Sequence, residues 1–293
     1  MSATILADDL GPRGRRRVLV GSIIAGLLIL GFLAVGVKRF NDNGQFAAEK
    51  WRPLTQWSVL KFYLGGLGNT LRAAATAMVI ALAIGGLVAL ARLARIAPVR
   101  WLATLYVEFF RGMALYLLIL FCWLGLPRLG LRLDVFWYLV MGLAVYNGAV
   151  LAEIFRAGIL SLDRGQSDAA AALGLRYWQS MGLVIVPQAV RRMLPSIISQ
   201  LVTLLKDTSL GVLIFYEELL RRARLSAEFF HNPVASVALV ALVYIAVNST
   251  LSQFATRLEA RQRQRFGAGG IAVAGLEELA VVEAQAEAKA ATT

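Results

Sequence analysis

Residues 152–195 read AEIFRAGILSLDRGQSDAAAALGLRYWQSMGLVIVPQAVRRMLP, a charged stretch rich in Gly and Ala that interrupts an otherwise apolar chain. Asp163 and Gln166 have the spacing of a capping box, which predicts the start of a helix through the four alanines that follow. Gly174 is suited to the left-handed turn that ends such a helix, and a second helix can begin after it. The stretch therefore predicts a short helical hairpin within about residues 158–187.

The composition outside this stretch is that of a membrane protein. Hydrophobic residues make up 58% of the 293 residues and charged residues only 16%, far from the balance of a soluble domain. A bilayer core requires roughly 20 apolar residues per helical span. We therefore expect an all-α, polytopic membrane protein with six spans, at about residues 18–37, 67–91, 102–126, 135–155, 184–215 and 233–255.

The first apolar segment can be interpreted as a signal peptide or as an uncleaved anchor, because a basic N-terminus over residues 1–17 precedes it. Its length exceeds the roughly 7–15 residues of a signal-peptide core, which favours an additional N-terminal transmembrane helix over 18–37. Lys and Arg concentrate on the cytoplasmic side of membranes. Most arginine clusters fall there if the N-terminus is inside, although Lys38, Arg39 and Arg221 oppose this orientation. Both termini are then expected in the cytoplasm.

Several classes of function are disfavoured by the residues themselves. Cys122 and His231 are the only cysteine and histidine, so we expect no metal site and no catalytic residues. The chain has no Gly-Lys dipeptide, which a Walker A phosphate loop requires. The net charge of +12 is attributed to topology and to attraction of membrane lipids, and not to nucleic acid binding. Residues 261–293 are expected to form a disordered cytoplasmic tail.

The hairpin resembles the EAA loop of ABC importer permeases, which docks on the ATPase subunit. The residues that carry this resemblance are Gly165, Asp168, Ala169, Ala170, Gly174 and Pro187. Residues 108–112 (EFFRG), 146–149 (YNGA), 152–158 (AEIFRAG) and 205–210 (LKDTSL) resemble the polar amino acid uptake family. Residues 216–219 (YEEL) look most like glutamate permeases of high-GC Gram-positive bacteria. The resemblance covers about residues 60–260.

The resemblance implies a type I importer permease fold with five core helices, to which the N-terminal helix is an addition. It implies a multi-pass subunit of the cell membrane that is not itself an enzyme and binds no cofactor, since ATP and Mg would be held by a separate ATPase subunit. The other partners implied are a second permease subunit, identical or paralogous, and an extracellular or lipid-anchored amino-acid-binding protein. Two alternatives are an ion-gradient-driven secondary transporter or channel without an ATPase, and a membrane scaffold.

Two departures from the family pattern stand out. Asp168 replaces the usual Glu, which keeps the charge and shortens the side chain by one methylene. Residues 112–114 read Gly-Met-Ala where the family commonly has Gly-Thr-Pro. Because proline fixes φ and promotes a kink, its loss leaves the path of the third span open.

Ionisable residues in spans are expected to face protein, water or substrate. Glu153 and Arg156 have the i, i+3 spacing of a helical ion pair, and so do Glu108 and Arg111. We therefore predict two structural ion pairs.

A polar run late in the fifth span is the candidate substrate path. Lys206, Asp207, Thr208 and Ser209 follow a long apolar segment, and a break in the helix there would expose amides and hydroxyls. We expect Lys206 to favour a carboxylate and Asp207 to favour an ammonium group or a structural partner. Asn147 is a further candidate, although helix packing is the favoured interpretation of an amide in a span.

Overall fold

The computed structural model describes residues 11–257, and it is built from helices and connecting turns throughout that range. The predicted tail over 261–293 lies outside the described residues. The helices are α1 (Pro12–Asp42), α2 (Ala48–Trp51), α3 (Trp57–Arg92), α4 (Ala97–Gly112), α5 (Leu115–Gly125), α6 (Val135–Leu160), α7 (Arg164–Ala172), α8 (Tyr177–Ser180), α9 (Val186–Asp207), α10 (Leu219–Phe230) and α11 (Pro233–Arg257).

Within the described residues, five continuous helical stretches are long and apolar enough to cross a membrane. A sixth crossing results if the bent pair Ala97–Gly112 and Leu115–Leu129 is one span. The prediction of six apolar segments is confirmed on that count. The five stretches are Gly14–Asp42, Trp57–Arg92, Val135–Leu160, Tyr177–Ile214 and Pro233–Arg257.

The third predicted span is not one straight helix. Its two halves meet at an angle of 102°, because Met113 (ψ 141°) and Ala114 (ψ 125°) are extended and interrupt the helical hydrogen bonds. The path of the third span, which the sequence left open, therefore turns sharply at these two residues, and the bend forms without the family's proline. The Tyr106 hydroxyl donates to the Val145 carbonyl at 2.8 Å, which fixes α4 against α6 on one side of the bend.

Close approach of α3 and α6 forms the centre of the bundle. A Cβ added at Gly85 would lie 2.8 Å from Leu151 Cβ, and one added at Gly148 would lie 2.8 Å from Ile84 Cγ2. Small residues allow helix backbones to approach in lipid, where packing replaces the hydrophobic effect as the driving force. The glycines thus set the distance between the two helices that support the remaining spans.

The α1 helix does not take part in this core. Its apolar side chains from Val18 to Val37 are exposed along the helix. The segment that follows α1 is attached to the bundle, since Asn232 Nδ2 donates to the Lys50 carbonyl at 2.8 Å. This arrangement fits the interpretation of α1 as an addition to the core helices.

Candidate functional site

The hairpin that interrupts the apolar chain is formed by α7 and α8. Asp163 caps α7 through a hydrogen bond from the Gly165 amide to its carboxylate at 2.9 Å. Gly174 follows α7 with φ +78°, the left-handed conformation that the sequence predicts there. Its amide donates to the Ala171 carbonyl at 2.9 Å. The helix–turn–helix prediction is therefore confirmed in its backbone.

One detail of the predicted hairpin is wrong. Gln166 does not complete a capping box with Asp163, because its side-chain oxygen accepts from Gln188 Nε2 at 3.0 Å. That contact connects α7 to the start of α9, 22 residues further along the chain. The Arg192 guanidinium of α9 donates to the carbonyl of Ser161, the residue that ends α6, at 2.7 Å. The hairpin is thereby attached to α9 as well as to α6.

A widened turn joins the hairpin to the long helix that follows. Residues Met181–Ile185 are π-helical and directly precede Val186 and Pro187. Proline lacks an N–H and its ring collides with the carbonyl four residues earlier, so a regular helix is disfavoured at this point. A buried cluster below the turn holds it in place, formed by Leu162, Ile185, Ala189 and Met193.

The outer surface of the hairpin is exposed and partly apolar. Asp168 and Ala169 are exposed, whereas Ala170 is only 2% exposed. Leu173 and Trp178 are 81% and 68% exposed. Large apolar side chains that are exposed can mark a contact site for another molecule, although isolated ones are common on protein surfaces. The hairpin therefore presents two large apolar side chains, one on each side of its turn.

A cluster of charged side chains lies where α3, α4 and α6 meet. Arg156 Nη2 lies 2.7 Å from Glu153 Oε1, so the i, i+3 spacing brings these two together. Arg92, 61 residues earlier, contacts the other carboxylate oxygen, and Arg111 lies 4.0 Å from it. The predicted pair of Glu108 with Arg111 does not form, since Arg111 faces Glu153 and the Glu108 side chain is exposed. One carboxylate therefore holds three helices together.

The helix does not break in the polar run, but its type changes there. The α9 helix ends at Asp207, and Thr208–Ile214 continue as a 3-10 helix that ends in Phe215 at φ +62°. Lys206 and Ser209 line a cavity of about 570 Å³ between this junction of α-helix and 3-10 helix, α10 and α11. Cavities of roughly 300 to 1,000 Å³ hold small-molecule ligands in proteins.

The other three predicted path residues do not line this cavity. Thr208 is fully buried, and its hydroxyl donates to the Leu205 carbonyl at 2.7 Å. Asn147 is fully buried too, and its side-chain oxygen accepts from Gln200 Nε2 at 2.6 Å. Asn147 thus joins α6 to α9, which agrees with the helix-packing interpretation. Asp207 is half-buried and absent from the cavity lining.

The sequence reasoning missed the contribution of α11. Tyr244, Asn248, Ser249 and Ser252 line the same cavity, and Ser252 also lines a second cavity of about 160 Å³ together with Ser199 on α9. The two cavities share Ser252 and are together called the groove between α9 and α11. The polar residues of α11 recur at helical spacing within an apolar span, a signal that could have indicated a polar face.

A buried carboxylate contacts Tyr244, one of the residues that line the larger cavity. Glu218 is fully buried and caps α10, accepting from the amides of Leu220 at 2.7 Å and Arg221 at 2.6 Å. The Tyr244 hydroxyl donates to it at 3.1 Å. Glu218 lies in the segment that connects two spans. Burial raises the pKa of its carboxyl group to about 7, although the hydrogen bonds from these donors lower that pKa. The Thr70 hydroxyl of α3 accepts a hydrogen bond from the Leu219 amide at 3.1 Å. This bond connects α3 to the first residue of α10.

Comparison with known proteins agrees with this arrangement. The family described as "Binding-protein-dependent transport system inner membrane component" matches residues 81–264. The "Glutamate transport system permease protein GluD" of Corynebacterium glutamicum is 38% identical over 227 residues, 76% of this chain and 83% of the relative. The "Probable glutamine ABC transporter permease protein GlnP" of Bacillus subtilis is 38% identical over 208 residues, 69% of this chain and 94% of the relative.

A solved structure extends the comparison to the fold. The crystal structure of an amino acid ABC transporter with histidines superposes with a TM-score of 0.67 at 29% identity, covering 71% of this chain and 97% of that chain. The chain therefore belongs to the family of inner membrane components of binding-protein-dependent transport systems. It has the type I ABC importer permease fold, with α1 added to five core helices. The resemblance to glutamate permeases of high-GC Gram-positive bacteria is confirmed by the Corynebacterium relative.

Proposed function

We propose that this chain is the translocating permease subunit of an ATP-driven importer of polar amino acids, with glutamate as its substrate. The family supports a transport role, and the names of the relatives from Corynebacterium glutamicum and Bacillus subtilis support glutamate or glutamine as cargo. In this proposal a binding protein delivers the amino acid, and two permease subunits form the path. A separate ATPase binds ATP and Mg, so this chain has no catalytic residue.

The observation that carries the proposal is the exposed α7–α8 hairpin. It presents Asp168, Leu173 and Trp178 at the surface, beside the left-handed turn at Gly174. The hydrogen bonds and the buried cluster described above fix its base to α9. A rigid exposed hairpin of this kind can transmit the closure of a docked ATPase to the spans as a rigid-body motion. The hairpin and both termini would then lie in the cytoplasm.

The test is co-purification of the full chain with its ATPase subunit, comparing wild type with Gly174→Arg. A Cβ added at Gly174 meets no atom within 4 Å, so the arginine would project from the hairpin towards a docked subunit. Gly130→Arg is the matched control, because Gly130 is also left-handed (φ +86°) and also open, but lies at the other end of α6. The backbone strain of about 1 kcal/mol is common to both variants.

We expect the ATPase to be retained by wild type and by Gly130→Arg and lost from Gly174→Arg. Equal retention by both variants would refute docking through the hairpin. Amino acid uptake into liposomes that needs an ion gradient and continues without the ATPase would instead favour the secondary transporter that the sequence left open.

A further inference from the structure

The groove between α9 and α11 has a chemical pattern that the proposed function does not yet use. Lys206 is the only charged side chain among the described residues that line its two cavities. Hydroxyl groups of Ser209, Ser249 and Ser252 accompany it. An exposed ammonium group in an otherwise neutral, hydroxyl-rich groove attracts an anionic group.

Asn248 supplies the complementary group. It is 9% exposed, and its Nδ2 donates to the Tyr244 carbonyl at 2.7 Å. Its Oδ1 is buried with no hydrogen-bond partner in the described structure, although the residue lines the larger cavity. A buried acceptor without a partner destabilises the folded protein. A ligand with a donor, such as an ammonium group, would satisfy it.

The remaining wall of the larger cavity is apolar. Val237, Val240, Ala241 and Ile245 form its lining on α11, and Leu220 of α10 contributes from the other side. These side chains offer contact area but no directional hydrogen bond. They would accommodate the side chain of a ligand without selecting a particular polar group.

We propose that this groove binds the common zwitterionic part of an α-amino acid, with Lys206 Nζ at the α-carboxylate and Asn248 Oδ1 at the α-ammonium group. This inference rests on the proposed function and adds to it, because the groove would bind the α-amino and α-carboxylate groups that all amino acids share. Asn248 therefore replaces Asp207 as the partner of the ammonium group. Selection among side chains is then left to other components of the transporter.

The experiment measures protection of a single cysteine in the purified full chain with its ATPase. Cys122 is free and is replaced by Ala, and Ser249→Cys places a reactive thiol in the groove. Maleimide labelling is followed at increasing concentrations of L-glutamate, L-glutamine or glutarate, which lacks the ammonium group. Thr250→Cys is the matched control, because Thr250 is the exposed neighbour and lies outside the groove lining.

We expect L-glutamate and L-glutamine to protect Cys at 249 and to leave the control thiol unaffected. Adding Asn248→Ala should raise the half-protecting concentration of L-glutamate about 10-fold to 100-fold and leave that of glutarate unchanged, since only the ammonium contact is lost. Adding Lys206→Ala should weaken all three ligands. A purely structural role of Asn248 would weaken glutarate equally and would overturn its assignment.

A parallel uptake assay separates this inference from the proposed function. ATP-dependent amino acid uptake by the wild-type transporter, without protection of the thiol at 249, would overturn the groove site and leave the proposed function intact. Protection by phospholipid in place of amino acids would also overturn it, because the groove would then be a lipid site. Absence of ATP-dependent uptake of any amino acid would refute the proposed function itself.

Discussion

Glu218 is a residue at which one substitution should change both the stability of the protein and its dependence on pH. The carboxyl is fully buried, and burial raises its pKa from 4.5 to about 7. Between these values the folded protein holds a proton on Glu218 that the unfolded chain has released. The contribution of Glu218 to stability is therefore greatest below pH 4.5 and is lost as the pH rises through 7.

The size of this effect follows from the shift. A difference of about 2.5 pKa units corresponds to about 3 kcal/mol in total, at about 1.4 kcal/mol per unit. Between pH 5.5 and pH 8 the expected loss is about 2 kcal/mol, because only the part of the window from pH 5.5 to pH 7 is crossed. In a domain of 150–250 residues this corresponds to about 4–8 °C in melting temperature.

Two variants separate the charge from the hydrogen bonds. Glu218→Gln is neutral at all pH values and keeps one acceptor oxygen, so it retains one of the two bonds that the amides of Leu220 and Arg221 make to different carboxylate oxygens; the loss of the other bond is the same at every pH. Its melting temperature should not include this pH-dependent loss. Glu218→Ala removes the helix cap and leaves buried donors unpaired, which should cost about 2–4 kcal/mol at every pH.

The assay is thermal unfolding of the detergent-solubilised protein, followed by fluorescence-detected size exclusion at pH 5.5 and pH 8. The difference between wild type and Glu218→Gln isolates the titration of Glu218 from that of all other groups. We expect that difference to shift by 4–8 °C in favour of Gln at the higher pH. A constant difference would refute the reasoning, because it would mean that burial does not oppose ionisation at this site.

Two further predictions concern the contacts between helices. Gly85→Ala should destabilise the protein by about 1–3 kcal/mol, because the new methyl group would lie 2.8 Å from Leu151 on the facing helix. Gly86→Ala should be neutral or stabilising, because its new methyl group would lie 4.0 Å from its nearest neighbour. Thermal unfolding of the two variants checks this prediction. Glu153→Gln should lower the free energy of unfolding by about 3 kcal/mol, because it leaves the largely buried Arg92 without its anionic partner. Glu108→Gln is the control, and it should change the melting temperature by less than about 2 °C, since Glu108 is exposed.

The sequence was sufficient to predict features that depend on local pattern. The apolar segments follow from composition and length, and the hairpin follows from a capping aspartate, a run of alanines and Gly174. The left-handed turn at that glycine is local backbone chemistry, and the structure has it at φ +78°. Such features need no knowledge of which helices are neighbours.

Features that depend on contacts between helices were predicted poorly. Spacing suggested that Glu108 and Arg111 pair, but Arg111 lies beside Glu153, and so does Arg92, 61 residues away from it in sequence. The helix α10 was also missed, because its capping residue Glu218 is held by α11 and by its own first turn, and the segment is not apolar enough to be a span. Only the packed structure determines these partners.

The α9 helix connects the two candidate sites in a way that neither site shows alone. Its first turn is attached to the hairpin through Gln188, and its last turn carries Lys206 into the groove. At a rise of 1.5 Å per residue these points lie about 27 Å apart along the helix. In the proposed transport cycle, a tilt of the hairpin would therefore move Lys206 relative to Asn248 on α11. Pro195 interrupts the hydrogen bonds of α9 between the two points, and it is where the helix would bend.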